Sequence, residues 1–149
     1  MTETDTTVAG TPTHLWATGI ISLLWNAVGA ADYVLTQTEN PDYLNAFTPE
    51  QKAFFLSFPA WMEFFWALGV WGAVAGSLLL LLRSRHAATA FAASLIGLAV
   101  STVWQFGFSG ADLAKIFGPV PILMNLFVWG ICIALLVYAR RQVRAGVLR

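Results

Sequence analysis

Phe64 to Leu82 reads FFWALGVWGAVAGSLLLLL, with no charge and apolar side chains on every face. A helix needs about 20 such residues to cross a hydrocarbon core about 30 Å thick. Three other stretches are equally free of charge: Leu15 to Ala31, whose apolar character runs on through Tyr33, Val34 and Leu35, then Ala87 to Ala111, and Ile116 to Ala139. None alternates as a barrel strand does, and helices bond every backbone amide within their own segment. The chain therefore predicts an all-α membrane protein, a four-transmembrane-helix bundle with spans over about 14–35, 59–82, 87–108 and 120–139 in a single domain, 14–140. Pro59 and Pro121 stand where the second and fourth spans begin, at positions whose N–H has no intrahelical partner. FGPVP, Phe117 to Pro121, makes the turn before the fourth.

The whole composition agrees. Of 149 residues, 58% are hydrophobic and 11% charged, with a mean hydropathy of +0.68; a soluble domain is about 25% charged. The basic and acidic residues number 8 each and cancel, so no single-sign field steers the chain to nucleic acid. Cys132 is the single cysteine and forms no internal disulfide.

Basic residues set the orientation. Arg83 and Arg85 lie between spans two and three, and Arg140, Arg141, Arg144 and Arg149 follow span four, whereas only Lys52 and Lys115 fall in the other two loops. The asymmetry predicts both termini and the middle link in the cytoplasm. Residues 1–13 read as a short mobile tail and 141–149 as a basic cytoplasmic tail. Gly29-Ala30-Ala31 faintly resembles a signal-cleavage site, but no basic residue precedes the apolar stretch and Glu3 and Asp5 carry the wrong charge, so the first span is expected to stay.

The first outer loop is the longest connection. Thr48-Pro49-Glu50-Gln51 is a helix start, with Thr as cap and Gln three residues on. Phe54, Phe55 and Phe58 then share one side of a short amphipathic helix, expected to lie in the outer headgroup layer. Such a helix either anchors the bundle or roofs a cavity, and anchoring is the preferred expectation.

Given this orientation, the polar side chains gather at one depth. Asn26, Asp32, Glu63, Gln105 and Asn125 all fall in outer halves of the spans, with Trp25, Trp66 and Trp104 among them. The inner halves carry little beyond serine and threonine. Ser22, Trp25, Gly29 and Asp32 share a helix face, as do Ser94, Gly97, Ser101 and Gln105; Glu63 pairs with Trp66, and Asn125 with Trp129. Carboxylates and amides facing lipid cost several kcal/mol, so these faces are expected to converge on an outward-facing polar and aromatic vestibule above a close-packed inner half. The eight residues Asn26, Asp32, Glu63, Gln105, Asn125, Trp25, Trp66 and Trp104 are the substrate-binding candidates. The plainer reading has equal footing: tryptophans belt membrane interfaces, amides bond between helices, and the two acids sit hydrated among headgroups.

Gly72 and Gly76 form a GxxxG with Gly69 a turn away, a stripe that serves either packing within the bundle or a homodimer seam. Trp25-Asn26 before Asp32 and Trp104-Gln105 before Asp112 form a faint repeat whose unequal gaps favour chance. No HExxH, CxxC, phosphate loop or nucleophile with a neighbouring base occurs, so no metal, cofactor or catalytic residue is expected and the chain does not read as an enzyme.

HLW at 14–16, SLLWNAVGAADY at 22–33, FTPEQ at 47–51, FPAWM at 58–62 and WALGVWGAVAGSLLLLLRSR at 66–85 resemble an uncharacterised family of small bacterial four-span inner-membrane proteins, some labelled sugar transporter. The resemblance covers most of the first two-thirds of the chain and implies a multi-pass protein of the bacterial inner membrane. It assigns no substrate residue. The expectation is a small-solute, sugar-like transporter or solute-binding protein, with the lipid bilayer, a small polar solute and a second copy as partners. The alternative is a non-catalytic accessory or assembly subunit of a larger membrane complex.

Overall fold

The computed structural model describes residues 10–149. Of the expected tail over 1–13, residues 1–9 lie outside the described residues, and Thr13 already belongs to a helix. Among the described residues, four helices are long and apolar enough to cross a membrane. They are α1 (Thr13–Gln37), α4 (Ala60–Leu81), α5 (Ala87–Val103, continued by a π-helical segment Trp104–Phe108) and α7 (Val120–Arg144). Short helices α2 (Pro41–Leu44) and α3 (Pro49–Leu56) join the first two spans, and α6 (Leu113–Phe117) precedes the last. No strand occurs among the described residues. The protein is a membrane-type helical bundle.

α1 packs on α4, α4 on α5, and α5 on α7. The tightest seam is α4 with α5, where small residues meet. A Cβ added to Gly97 would stand 2.4 Å from the Gly69 amide nitrogen and 2.5 Å from the Phe65 carbonyl oxygen. The Ser94 hydroxyl donates to the Gly69 carbonyl at 2.5 Å. Gly72 faces the Ser94 backbone at 3.0 Å, and Gly76 faces the Phe91 ring at 2.6 Å, again measured from an added Cβ. The glycine stripe thus serves contact within the chain. α5 covers Gly72 and Gly76, so of the two expected uses these residues take packing within the bundle rather than a seam between copies.

α7 and α1 meet through side chains. His14 Nδ1 lies 2.6 Å from the Tyr138 hydroxyl at one end, and the Trp25 ring meets Phe127 edge-on at 5.4 Å further along. The outward faces of both helices carry Ile20, Ile21, Leu24, Leu123, Leu126 and Phe127, all exposed, as a lipid-facing surface requires.

The two ends of the bundle differ. At the arginine end, Leu15, Leu80, Ala87, Phe91, Leu135, Leu136 and Ala139 form an apolar core that Val147 and Leu148 complete. The expected basic tail over 141–149 is therefore corrected: α7 runs to Arg144, the chain turns at Gly146, and Val147 and Leu148 are 5% and 3% exposed. Arg149 N–H donates to the Arg83 carbonyl at 2.9 Å, and Arg85 N–H to the Arg149 carbonyl at 3.0 Å, tying the hook to the α4–α5 link. Two apolar side chains in the core outweigh the freedom of a short charged segment.

At the opposite, capped end, α3 begins with the expected capping box. Gln51 N–H donates to Thr48 Oγ1 at 3.3 Å and Thr48 N–H to Gln51 Oε1 at 3.1 Å. Phe54 and Phe58 turn into the protein and pack with Met62 and Leu113. Phe58 meets Trp104 edge-on at 5.0 Å, Phe54 meets Phe117 at 5.6 Å, and Gln51 Nε2 donates to the Ile116 carbonyl at 3.2 Å. α3 and α6 together cap the α4–α5 side.

Three helices end alike. After α1, α4 and α7 the chain passes through a left-handed residue, Glu39 (φ 48°), Arg83 (φ 57°) and Gly146 (φ 71°). In each case two N–H groups return to the last turn, for α1 Glu39 to Thr36 at 3.0 Å and Asn40 to Leu35 at 3.0 Å. Only α7 uses glycine, the residue without a Cβ penalty there. Glu39 is exposed, so Glu39→Gly isolates the backbone effect. It is expected to stabilise the protein by about 1 kcal/mol, read as a rise in Tm in micelles; an unchanged Tm would count against it.

Candidate functional site

A cavity of about 720 Å³ lies among all four spans, within the range of small-ligand sites. Each helix contributes the face that its spacing lines up: Trp25, Asn26, Gly29 and Asp32 from α1, Trp66, Gly69 and Ala73 from α4, Ser94, Leu98, Ser101 and Thr102 with Gln105 from α5 and its π continuation, and Asn125, Val128, Cys132 and Leu135 from α7. Tyr43 of α2 reaches in from the connection. Six of the eight expected residues, Trp25, Asn26, Asp32, Trp66, Gln105 and Asn125, thus border one space.

Glu63 and Trp104 do not border it, and both placements correct the expectation. Trp104 packs into the aromatic cap against Phe58. Trp104 opens the π-helical turn, and its ring stands with Phe54 and Phe58 rather than among the residues that border the space. Glu63 sits in the first turn of α4, where a helix N-terminus favours a carboxylate. It ends short of the cavity that Trp66, a turn deeper, reaches. Among the described residues, the cavity lining therefore has one acidic side chain, Asp32, and no lysine, arginine or histidine.

The polar groups are held in place. Asn26 Nδ2 donates to the Ala73 carbonyl at 3.2 Å and to Ser77 Oγ at 2.9 Å. Both amide protons are thereby committed to α4, and what Asn26 can offer a ligand is its oxygen. Across the cavity, Asn125 Nδ2 and Trp129 Nε1 both donate to Thr102 Oγ1, at 3.3 and 3.2 Å. Thr102 accepts twice, so its own proton is free to donate. The Ser101 hydroxyl is 4% exposed and has no hydrogen-bond partner. A buried hydroxyl without a partner costs about 1–3 kcal/mol, which a bound group could recover.

Asp32 accepts a hydrogen bond from the Tyr43 hydroxyl. Burial, and after it that bond, push the Tyr43 phenol well above its ordinary value. A folded-state value above the unfolded one gives stability that is present below pH about 10 and is lost as pH rises through the folded value. Tm is therefore expected to hold from pH 7 to 9 and to fall above pH about 10, with a shallower fall in Tyr43→Phe. An equal fall in both proteins would show that this pair does not contribute.

The interior is less tight than the sequence predicts. The lining runs past Leu98 and Val128 to Leu135 and Phe91, where the arginine-end core begins. From Asn125 to Leu135 a helix advances about 15 Å, so the space reaches well below the polar layer. Sequence reasoning missed Tyr43 and Thr102 as parts of the site: a loop tyrosine and a span threonine carry no pattern that pairs them with Asp32 or Asn125. Among the described residues no three His, Cys, Asp or Glu side chains gather into a metal-binding group. Comparison with known proteins returns no match to a family model, a curated protein or a solved structure.

Proposed function

We propose that the protein binds a small solute within the membrane and acts as a transporter or solute-binding protein of the bacterial inner membrane. The observation that carries this reading is the cavity of about 720 Å³ walled by all four spans, with Asp32, Thr102, Gln105 and Asn125 toward one end of it and Asn26 deeper, against Ala73 and Ser77. Few convergent polar groups in a mostly apolar cavity are the ordinary make-up of a small-molecule site. The arginine asymmetry favours termini and arginine end in the cytoplasm, with the capped end and its α3 helix at the outer headgroup layer. The polar part of the cavity then faces outward. Likeness to the small four-span family is consistent with this role. Transport by so small a bundle calls for a second copy, meeting a face other than Gly72 and Gly76.

The test is ligand-dependent stabilisation of the purified protein by sugars, amines and organic acids, followed by flux in proteoliposomes. A ligand at 100 times its Kd stabilises by about 2.7 kcal/mol. Binding that is lost in Val128→Trp, which fills the cavity, supports the reading. No stabilisation by any class, no flux, and stoichiometric co-purification with a larger complex would instead assign an accessory subunit.

A further inference from the structure

The cavity is open on one side. Val28 of α1 and Met124 of α7 both border it, yet they are 68% and 50% exposed. They stand on the two helices that lack close backbone packing against each other. Below Trp25 and Phe127, α1 and α7 touch again at His14 and Tyr138. The gap between these helices faces the surface that carries Leu24 and Leu126, the surface that lipid covers in a membrane. The cavity therefore communicates sideways with hydrocarbon as well as with the capped end.

Its lining is graded along the same axis. Toward the capped end stand Asp32 with Tyr43, and the ring of Trp66; deeper in, Leu98, Val128, Ile131 and Leu135 present mostly hydrocarbon, about 10 Å from Val128 to Leu135, interrupted by Ser94, Cys132 and the Asn26 amide. A sugar would leave most of its hydroxyls unpaired against that hydrocarbon, at a cost of about 1–3 kcal/mol for each unsatisfied group. An alkyl chain would not. The single formal charge among the described lining residues is negative, and ring faces attract cations. The buried, unpartnered Ser101 hydroxyl and the free Thr102 proton add neutral hydrogen-bonding groups on the α5 wall of the same cavity.

We propose that the cavity takes an amphipath with a small cationic head and one hydrocarbon chain, admitted from the bilayer between α1 and α7. The head sits at Asp32 and Tyr43, and the chain runs down toward Leu135. This inference rests on the solute-binding reading and names the chemistry of its ligand. Asp32 supplies the charge complement, and the rings of Trp25 and Trp66 border the same cavity. An anionic head meets no cationic side chain among the described lining residues.

The experiment uses the full chain in lipid nanodiscs, with dodecyltrimethylammonium as the probe below its micelle concentration. Dodecyl sulfate, tetramethylammonium and glucose serve as comparisons. Saturable binding of dodecyltrimethylammonium is expected, with at least tenfold weaker binding of dodecyl sulfate and of the chainless tetramethylammonium. Asp32→Asn raises Kd at least tenfold. Val28→Trp with Met124→Trp slows association at least fivefold while Kd moves less than threefold, since the portal is obstructed and the site is not. Both variants are checked for wild-type Tm, and Tyr43→Phe, which leaves the acid in place, is a second probe of the head position with an expected smaller loss. Equal binding of dodecyl sulfate, or no effect of Asp32→Asn, overturns the cationic head. Unchanged association in the portal variant overturns the route. Binding of glucose without the amphipath overturns this inference and leaves the solute-binding reading standing. Binding of no probe, with Val128→Trp indistinguishable from wild type throughout, defeats both.

Discussion

Gly97→Ala will separate α4 from α5 and destabilise the protein by about 3 kcal/mol, the upper part of the range for overpacked sites. The added methyl would meet backbone on two sides, Gly69 nitrogen at 2.4 Å and Phe65 oxygen at 2.5 Å. No rotamer change relieves a clash with backbone; the helices themselves must move apart. The Ser94 hydrogen bond to the Gly69 carbonyl then lengthens as well. Reversible unfolding in micelles reads the effect. Gly130→Ala, where nothing lies within 4 Å, is the matched control and should leave stability unchanged or slightly raised. If Gly97→Ala stays within about 0.5 kcal/mol of wild type, a value typical of surface substitutions, the α4–α5 seam is not as close as described.

Phe91→Ala is the second large effect. Phe91 is fully buried; its ring packs against Gly76 and forms the floor of the cavity. Phenylalanine truncations in soluble cores cost about 3–5 kcal/mol. Part of that figure is transfer out of water, which is small where the unfolded chain remains among lipid tails. The expected loss is therefore about 3 kcal/mol, the lower end of that range, arising from lost packing around Gly76 and Leu135. Phe91→Leu should recover about half of it. A loss below about 1 kcal/mol would mean that neighbours collapse into the vacated space.

The number of spans and their limits are legible because charge and proline punctuate them. Pro59 stands just ahead of α4 and Pro121 in the first turn of α7, and Thr48 with Gln51 sets the start of α3. The row Ser94, Gly97, Ser101 is equally legible: the small members close the seam with α4, and Ser94 and Ser101 with Gln105 also border the cavity. Other features depend on partners distant in the chain. Phe54 and Phe58 form a hydrophobic face that lipid or protein could cover, and only the position of Trp104 and Phe117 decides for protein. Val147 and Leu148 stand among arginines, and a flanking charge says nothing of a pocket left between Leu15 and Ala139. The faint repeat also separates here: Asp32 borders the cavity, whereas Asp112 caps α6 by accepting from Lys115 N–H at 3.1 Å. Equivalent spacing did not give equivalent roles.

The wide turn at the end of α5 changes how that helix will report in a scan. Ser109 N–H reaches back five residues to the Trp104 carbonyl at 2.8 Å, so one additional residue is accommodated between Trp104 and Phe108. Single-cysteine labelling walked along the chain should therefore keep the 3.6-residue beat through position 103 and then fall out of step by one. Any periodicity fitted across the whole of 87–108 would average two phases and misassign the faces of its final turn.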